Sequence, residues 1–270
     1  MKVDPVYLVY FSPTGTTRTV LEGIAGGLGA PAAEHFDLTP HDAKPRTTEF
    51  RDGFAVVGIP VYAGRVPRTA VERLQRFRAR ETLAVLVVVY GNREYEDALM
   101  ELNNVATDIG FAPIAGAAFI GEHTANYVLD DDTAPIAEGR PDVRDIERAI
   151  EFGRAVLGKA RGIRRLEEIG TLELPGSIPY REHGRSSAES PVTDEAPCIR
   201  CGVCAAVCPV GAITLDSRVT TDQKQCIMCC ACIKYCSTGA RVGGHIWMRE
   251  IGEWLSAEYS DPKEPEFFLR

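Results

Sequence analysis

All nine cysteines of this 270-residue chain fall between positions 198 and 236. Eight of them form two runs of the same spacing, C-x2-C-x2-C-x3-C: Cys198, Cys201, Cys204 and Cys208, then Cys226, Cys229, Cys232 and Cys236. That spacing suits iron and sulfide. A tight cysteine triplet caps three corners of one cuboidal 4Fe–4S cluster, while the fourth cysteine points away and ligates the other cluster. Cys198, Cys201, Cys204 and Cys236 are therefore expected to hold a first cluster, and Cys208, Cys226, Cys229 and Cys232 a second. Structural zinc sites pair two ligands with a distant second pair, which two triplets do not match. Disulfides need an oxidising compartment. The N-terminus lacks the charged, apolar and small-residue regions of a signal peptide, so a cytoplasmic setting is expected.

The two runs are copies of each other. Residues 198–212 (CIRCGVCAAVCPVGA) align with residues 226–240 (CIMCCACIKYCSTGA) at an offset of 28. Ser237 stands where the first copy has Pro209, so the turn after Cys236 is less rigidly set. Cys230 is surplus to the pattern and reads as a small buried residue rather than a ligand. The run with its fourth-ligand exchange resembles bacterial two-cluster ferredoxins.

A second chemical site is written near the N-terminus. Residues 6–11 (VYLVYF) are a buried-strand signal. They are followed by Ser12, Pro13, Thr14, Gly15, Thr16 and Thr17, and then by a helical segment. A hydroxyl-rich glycine loop between strand and helix can bind phosphate, because backbone N–H groups and the helix N-terminus face the anion. No lysine lies in the loop, which excludes a Walker A site.

These residues must be positioned by a sheet. Strands are expected at 6–11, 33–38, 53–59, 83–90 and 112–121, with helices over 16–28, 68–78, 96–109 and 141–160. Five strands alternating with helices imply a parallel sheet with right-handed crossovers, of order 2-1-3-4-5, with ligands outside the strand C-termini. The glycines at 23–29 follow a helix rather than a strand, so they are read as a helix stop and not a dinucleotide fingerprint.

Residues 1–160 thus resemble the short-chain flavodoxin-like domain, whose Ser/Thr-x-Thr-Gly-x-Thr loop holds the FMN phosphate. The resemblance implies that Ser12, Thr14, Gly15, Thr16 and Thr17 bind FMN phosphate. It also implies that the loops after the third and fourth strands flank the ring. Those loops carry Pro60, Tyr62, Ala63 and Gly64, then Tyr90, Gly91, Asn92, Arg93 and Tyr95. Tyr62, and Tyr95 or Tyr90, are candidates to lie against the isoalloxazine. Ala63 and Gly64 are candidates to bring backbone near flavin N5, and Asn92 and Gly91 to hydrogen-bond the pyrimidine edge. His123, at the end of the fifth strand, is a candidate proton donor.

The expected boundaries are an FMN domain at 1–160, a connector at 161–195, a small α+β two-cluster ferredoxin domain at 196–243, and a C-terminal helix and tail at 244–270. Residues 172–179 are expected to run extended along a surface, and 181–191 to form a flexible or surface-tracking linker. The helix carries both tryptophans, Trp247 and Trp254, at helical spacing, for domain packing or a homodimer contact. Phe267, Phe268 and Leu269 are expected to pin the tail.

Formal charge is −8, and two clusters at about −2 each bring it to about −12. Nucleic acid is therefore an unsuitable partner. No apolar run reaches the length of a membrane span. The whole resembles flavodoxin–ferredoxin fusion proteins of anaerobes. That implies electron transfer between a low-potential carrier, two 4Fe–4S clusters and FMN, with a ferredoxin or a reductase as protein partner. Two other functions stay open: reduction of a small acceptor such as a quinone or nitro compound by FMN, and redox sensing.

Overall fold

The computed structural model describes residues 4–30, 32–43, 49–129, 132–184, 190–243 and 246–269. The apolar runs become strands β1 (Val6–Tyr10), β2 (Glu34–Asp37), β3 (Glu49–Arg51), β4 (Phe54–Pro60), β5 (Arg78–Arg80), β6 (Leu83–Tyr90) and β7 (Ala112–Ile120). They alternate with helices α1 (Thr16–Gly27), α2 (Arg68–Leu74), α3 (Ala98–Asp108) and α4 (Val143–Gly162). β2, β1, β4, β6 and β7 pair in parallel in that order, the order expected of a flavodoxin-like layer. All eight residues of β6 are buried. A strand covered on both faces must be apolar throughout, which is why LAVLVVVY does not alternate. One core, with Phe50, Phe77 and Phe111, covers one face. The other lies under α1 and α4, with Phe119 and Phe152. β3 and β5 form a separate short parallel pair.

The glycines near the end of α1 do more than stop it. A Cβ on Gly27 would lie 2.1 Å from the Ile150 carbonyl oxygen, and one on Gly153 would lie 2.3 Å from that of Ile24. These positions let α1 and α4 pack backbone to backbone, while Gly29, with φ +78°, makes the left-handed turn that follows the helix.

After residue 190 come β8 (Val192–Thr193), α5 (Val203–Ala206), β9 (Ile213–Leu215), β10 (Val219–Thr221), α6 (Ala231–Lys234) and β11 (Arg241–Val242). β9 pairs with β10, and β11 with β8, both antiparallel. The internal repeat is visible in the backbone. Arg200, Gly202 and Gly211 have φ of 52°, 81° and 64°, and their counterparts Met228, Cys230 and Gly239 have 57°, 56° and 67°. Cys230 is thus the equivalent of Gly202, the left-handed residue that opens the short helix.

The sheet has six strands, not the expected five. The C-terminal residues Glu266–Phe268 form β12, antiparallel to β7. Without it, the long edge of β7 would leave N–H and C=O groups unpaired. Phe267 enters one core against Phe119 and Phe152, while Phe268 packs on the other side. Helix α7 (Ile246–Tyr259) precedes it. The side chains of residues 246–248, including Trp247, lie outside the described residues, and Trp254 is half exposed. Among the described residues no helix is long and apolar enough to cross a membrane.

Candidate functional site

A cavity of about 740 Å³ opens at the C-terminal ends of the parallel strands, where the parts of the chain meet. Thr14, Thr16 and Thr17 line one side, Pro60, Tyr62 and Ala63 another, and Tyr90 with Gly91 a third. Its size and its mix of apolar walls with a few hydroxyls suit a cofactor of flavin dimensions.

The phosphate-loop candidates divide. The Thr14 and Thr16 hydroxyls lie 3.0 Å apart at the cavity wall. Gly15, with φ 84°, opens α1, whose first turn carries no acidic residue, so the helix N-terminus can receive an anion. Ser12 instead serves the loop itself: its hydroxyl accepts the Arg18 N–H at 3.1 Å, and its N–H donates to Thr39 Oγ1 at 2.7 Å. The loop is braced from the cysteine-rich part. Lys234 Nζ donates to the Thr14 carbonyl at 3.0 Å, and the Tyr235 hydroxyl comes within 3.4 Å of where a Cβ on Gly15 would stand.

The ring-side candidates also divide. Tyr62 and Tyr90 line the cavity. Tyr62 is held in a tight turn with Arg65, N to O at 2.9 and 3.1 Å. Burial, and then the neighbouring Cys229, Cys230 and Cys226, push its phenol pKa well up. Tyr95 packs edge-on to Tyr90 and donates to Glu266 at 3.1 Å, facing β12 rather than the cavity. Asn92 is fully buried. Its Nδ2 donates to the carbonyls of Tyr259 and Asp261, and its Oδ1 accepts the Lys263 N–H at 3.1 Å. Its side chain is committed to the C-terminal segment and leaves nothing for a pyrimidine edge. Arg93 pairs with Glu96 at 2.9 Å. Gly64 lies under the Glu96 carboxylate and does not line the cavity.

His123 is at the wall, packed so closely on Gly91 that a Cβ there would meet its Cδ2 at 2.2 Å. Its Nδ1 accepts the Ala125 N–H at 3.0 Å, which leaves the proton on Nε2. Burial, and then the Arg93 charge, lower its pKa to about 4. At neutral pH it is therefore a neutral imidazole whose Nε2–H can donate. An unfolded His titrates near 6.5. Between about pH 6.5 and 4 the unfolded chain binds a proton that the folded chain excludes, so stability falls as pH drops through that window. The loss is at most on the order of 3 kcal/mol, with no slope from this group above 6.5. His123→Asn is expected to remove that slope, as read by urea denaturation at pH 5 and pH 7.

The fourth wall is one that sequence reasoning missed. Cys226, Ile227 and Met228, with Lys224 and Gln225, close the cavity from the cysteine-rich side, and His183 and Gly184 of the connector approach from another. Connector residues 177–181 are pinned by Asp97, which accepts the N–H groups of Ser177 and Arg181 at 2.9 and 2.7 Å. The proposed linker residues 185–189 lie outside the described residues. Arg73 joins the two parts: buried, it donates to the Leu38 and Thr39 carbonyls and, at 2.5 Å, to that of Pro209. The repeat carries no signal of this wall, since both copies have isoleucine at the position that differs in the fold. Ile199 of the first copy is 66 % exposed, while its counterpart Ile227 faces the cavity.

The two expected ligand sets differ in exposure. Cys201 is exposed and Cys198, Cys204 and Cys236 are half-buried, whereas Cys208, Cys229 and Cys232 are buried and Cys226 is half-buried. Both sets have donors suited to sulfur anions. The Ala212 N–H donates to Cys208 Sγ at 3.3 Å. In the second copy the N–H of Arg241, the Thr238 hydroxyl and N–H, and the N–H of Ala240 act on Cys236 and lower its pKa against burial. Burial raises the pKa values of Cys226, Cys229 and Cys232; a metal core, which deprotonates its thiols outright, relieves that cost. The Cys230 thiol, pushed up to about 12 by burial, donates to the Met228 carbonyl at 3.5 Å.

Residues 191–214 match the 4Fe-4S binding domain family. No curated protein matches the chain. Among solved structures, an archaeal flavodoxin aligns at 14 % identity over 60 % of this chain and 99 % of its own, with a TM-score of 0.39. Flavodoxin 1 from Bacillus cereus aligns at 14 % identity over 57 % and 97 %, TM-score 0.36. A WrbA-like flavodoxin from Agrobacterium tumefaciens aligns at 17 % identity over 58 % and 97 %, TM-score 0.38. The chain joins a flavodoxin-like layer to a 4Fe–4S segment, a combination that serves electron transfer.

Proposed function

We propose that the protein transfers electrons between an external low-potential one-electron carrier, two 4Fe–4S clusters and FMN, in anaerobic redox metabolism. The observation that carries this reading is the shared cavity. Its far side is the phosphate-type loop, and its near side is Cys226–Met228, part of the second ligand set. When bound, FMN takes up one or two electrons and a cluster takes up one, which together link one- and two-electron chemistry. The chain's own contribution is placement. Thr14, Thr16 and the α1 N-terminus would hold the phosphate, while Tyr62, Tyr90 and the neutral His123 would border the ring. The first ligand set, with Cys201 exposed, would face an incoming carrier protein, and the more buried second set would face the cavity through Cys226.

Anaerobic titration of the holoprotein with a reduced ferredoxin, following flavin and cluster absorbance separately, tests the reading. Both chromophores should respond; a flavin that stays oxidised while the clusters bleach contradicts it. Thr14→Val is expected to weaken FMN binding at least tenfold, for the loss of one charge-assisted hydrogen bond of about 1.5 kcal/mol or more. Iron content should stay unchanged. Fluorescence titration of flavin-depleted protein, beside an iron assay, checks both.

One observation favours keeping the reductase reading as second. The candidate flavin site lies in a cavity bordered by Arg68, Glu122, His183 and Lys224, not on a flat acidic edge. A small acceptor such as a quinone or nitro compound would have room there, and turnover with it under anaerobic conditions would establish that reading.

A further inference from the structure

The repeat is broken at one buried position. In the first copy, Ala212 is followed by Ile213, which is buried among apolar neighbours. In the second copy, Ala240 is followed by Arg241, which is 2 % exposed. A guanidinium in place of an isoleucine inside a protein is costly unless an anion compensates it. Among the described residues no carboxylate does so. Arg241 Nη1 donates to Thr193 Oγ1 at 2.7 Å, and Nη2 donates to the Pro191 carbonyl at 2.8 Å and Thr221 Oγ1 at 2.9 Å. Nη2 also lies 3.6 Å from Cys232 Sγ. Among the described residues the buried Nε has no hydrogen-bond partner. The sulfur beside the guanidinium belongs to Cys232, an expected cluster ligand.

We propose that Arg241 is the counter-charge of the second cluster, and that its guanidinium raises the reduction potential of the cluster held by Cys208, Cys226, Cys229 and Cys232. This rests on the two-cluster reading given above. Reducing a cluster adds one electron and so one negative charge; a fixed cation beside it in a low-dielectric interior favours the reduced form. The contact falls on the second set, where the guanidinium lies 3.6 Å from Cys232 Sγ. The second cluster is therefore the more affected, and it is the one whose ligand loop walls the flavin cavity. Arg241 acts here as a positioning and tuning residue, through sulfur rather than through any substrate.

The test is an anaerobic redox titration of the full-length holoprotein, followed by low-temperature EPR, for wild type, Arg241→Gln and Arg241→Lys. The second cluster's signal is the one lost in Cys229→Ser. At the potential where that cluster is half reduced in wild type, Arg241→Gln should lower its reduced-to-oxidised ratio at least tenfold, a shift of 59 mV for one electron. Arg241→Lys should shift it by less than half as much. An unchanged potential in the Gln variant, or an equal drop in the Lys variant, overturns the proposal. Loss of iron in the Gln variant alone supports the role of charge, and loss in both variants assigns Arg241 to scaffolding and overturns it. Wild-type protein without two cluster signals overturns the two-cluster reading itself.

Discussion

Cys229→Ser is expected to cost the anaerobically purified protein about four of about eight iron atoms, with an equal loss of sulfide. A serine hydroxyl cannot replace a buried thiolate, because the soft sulfur ligand is what selects iron–sulfur chemistry. The change should also reach the flavin. Cys229 follows the loop Cys226–Met228, which walls the cavity, and that loop takes its shape from the left-handed Met228 and Cys230. Flavin occupancy is therefore expected to fall in Cys229→Ser. In Cys201→Ser it should hold, because Cys201 lies exposed in the other ligand set, away from the cavity lining. Iron, sulfide and released-flavin assays on the two variants check this. Equal flavin loss in both would mean that the cavity does not depend on the second set in particular.

Glu101→Gln is expected to lower stability by about 3–5 kcal/mol, the usual cost of leaving one partner of a buried ion pair without the other. Arg65 Nε and Nη2 donate to the two oxygens of Glu101, each at 2.7 Å, and both side chains are under one-tenth exposed. The Val66 N–H donates to the same carboxylate at 3.2 Å. Arg65 also reaches out of the domain: it donates to the Arg181 carbonyl and lies 4.7 Å from the Tyr180 ring centroid. The pair therefore fixes both the Tyr62–Arg65 turn and the connector that carries His183 to the cavity. Urea denaturation should show the lower midpoint, and the connector should become more open to proteolysis. A loss below about 1 kcal/mol, the range of exposed pairs, would contradict the assignment.

The legible parts of this molecule are those where chemistry dictates local spacing. Iron–sulfur ligation requires the cysteine triplets, and the Thr14–Thr17 segment between an apolar strand and a helix points to an anion site without reference to anything distant. The parallel sheet was legible because β1, β4, β6 and β7 are continuous apolar runs. What was not legible depends on contacts across the chain. Asn92 reads as a flavin contact from its loop position, yet its partners lie 167 to 171 residues away. Tyr95 is likewise claimed by Glu266. The tail residues Phe267 and Phe268 alternate as a strand does, but three residues are too few to distinguish a strand from a pinned tail. His123 reads as a candidate proton donor from its place at the end of the fifth strand; its position at the cavity wall and its neutral state follow from tertiary packing, burial and the Ala125 N–H, which no motif encodes.

The central claim is that one cavity holds a flavin against the second of two clusters. Diffraction from crystals of anaerobically purified holoprotein, measured at the iron absorption edge, tests it most directly. The account predicts two iron centres, one within Cys208, Cys226, Cys229 and Cys232 and the other within Cys198, Cys201, Cys204 and Cys236. It also predicts flavin density between Thr14–Thr17 and Cys226–Met228. A single iron centre, zinc at the cysteines, or a cavity without flavin beside intact clusters would contradict it.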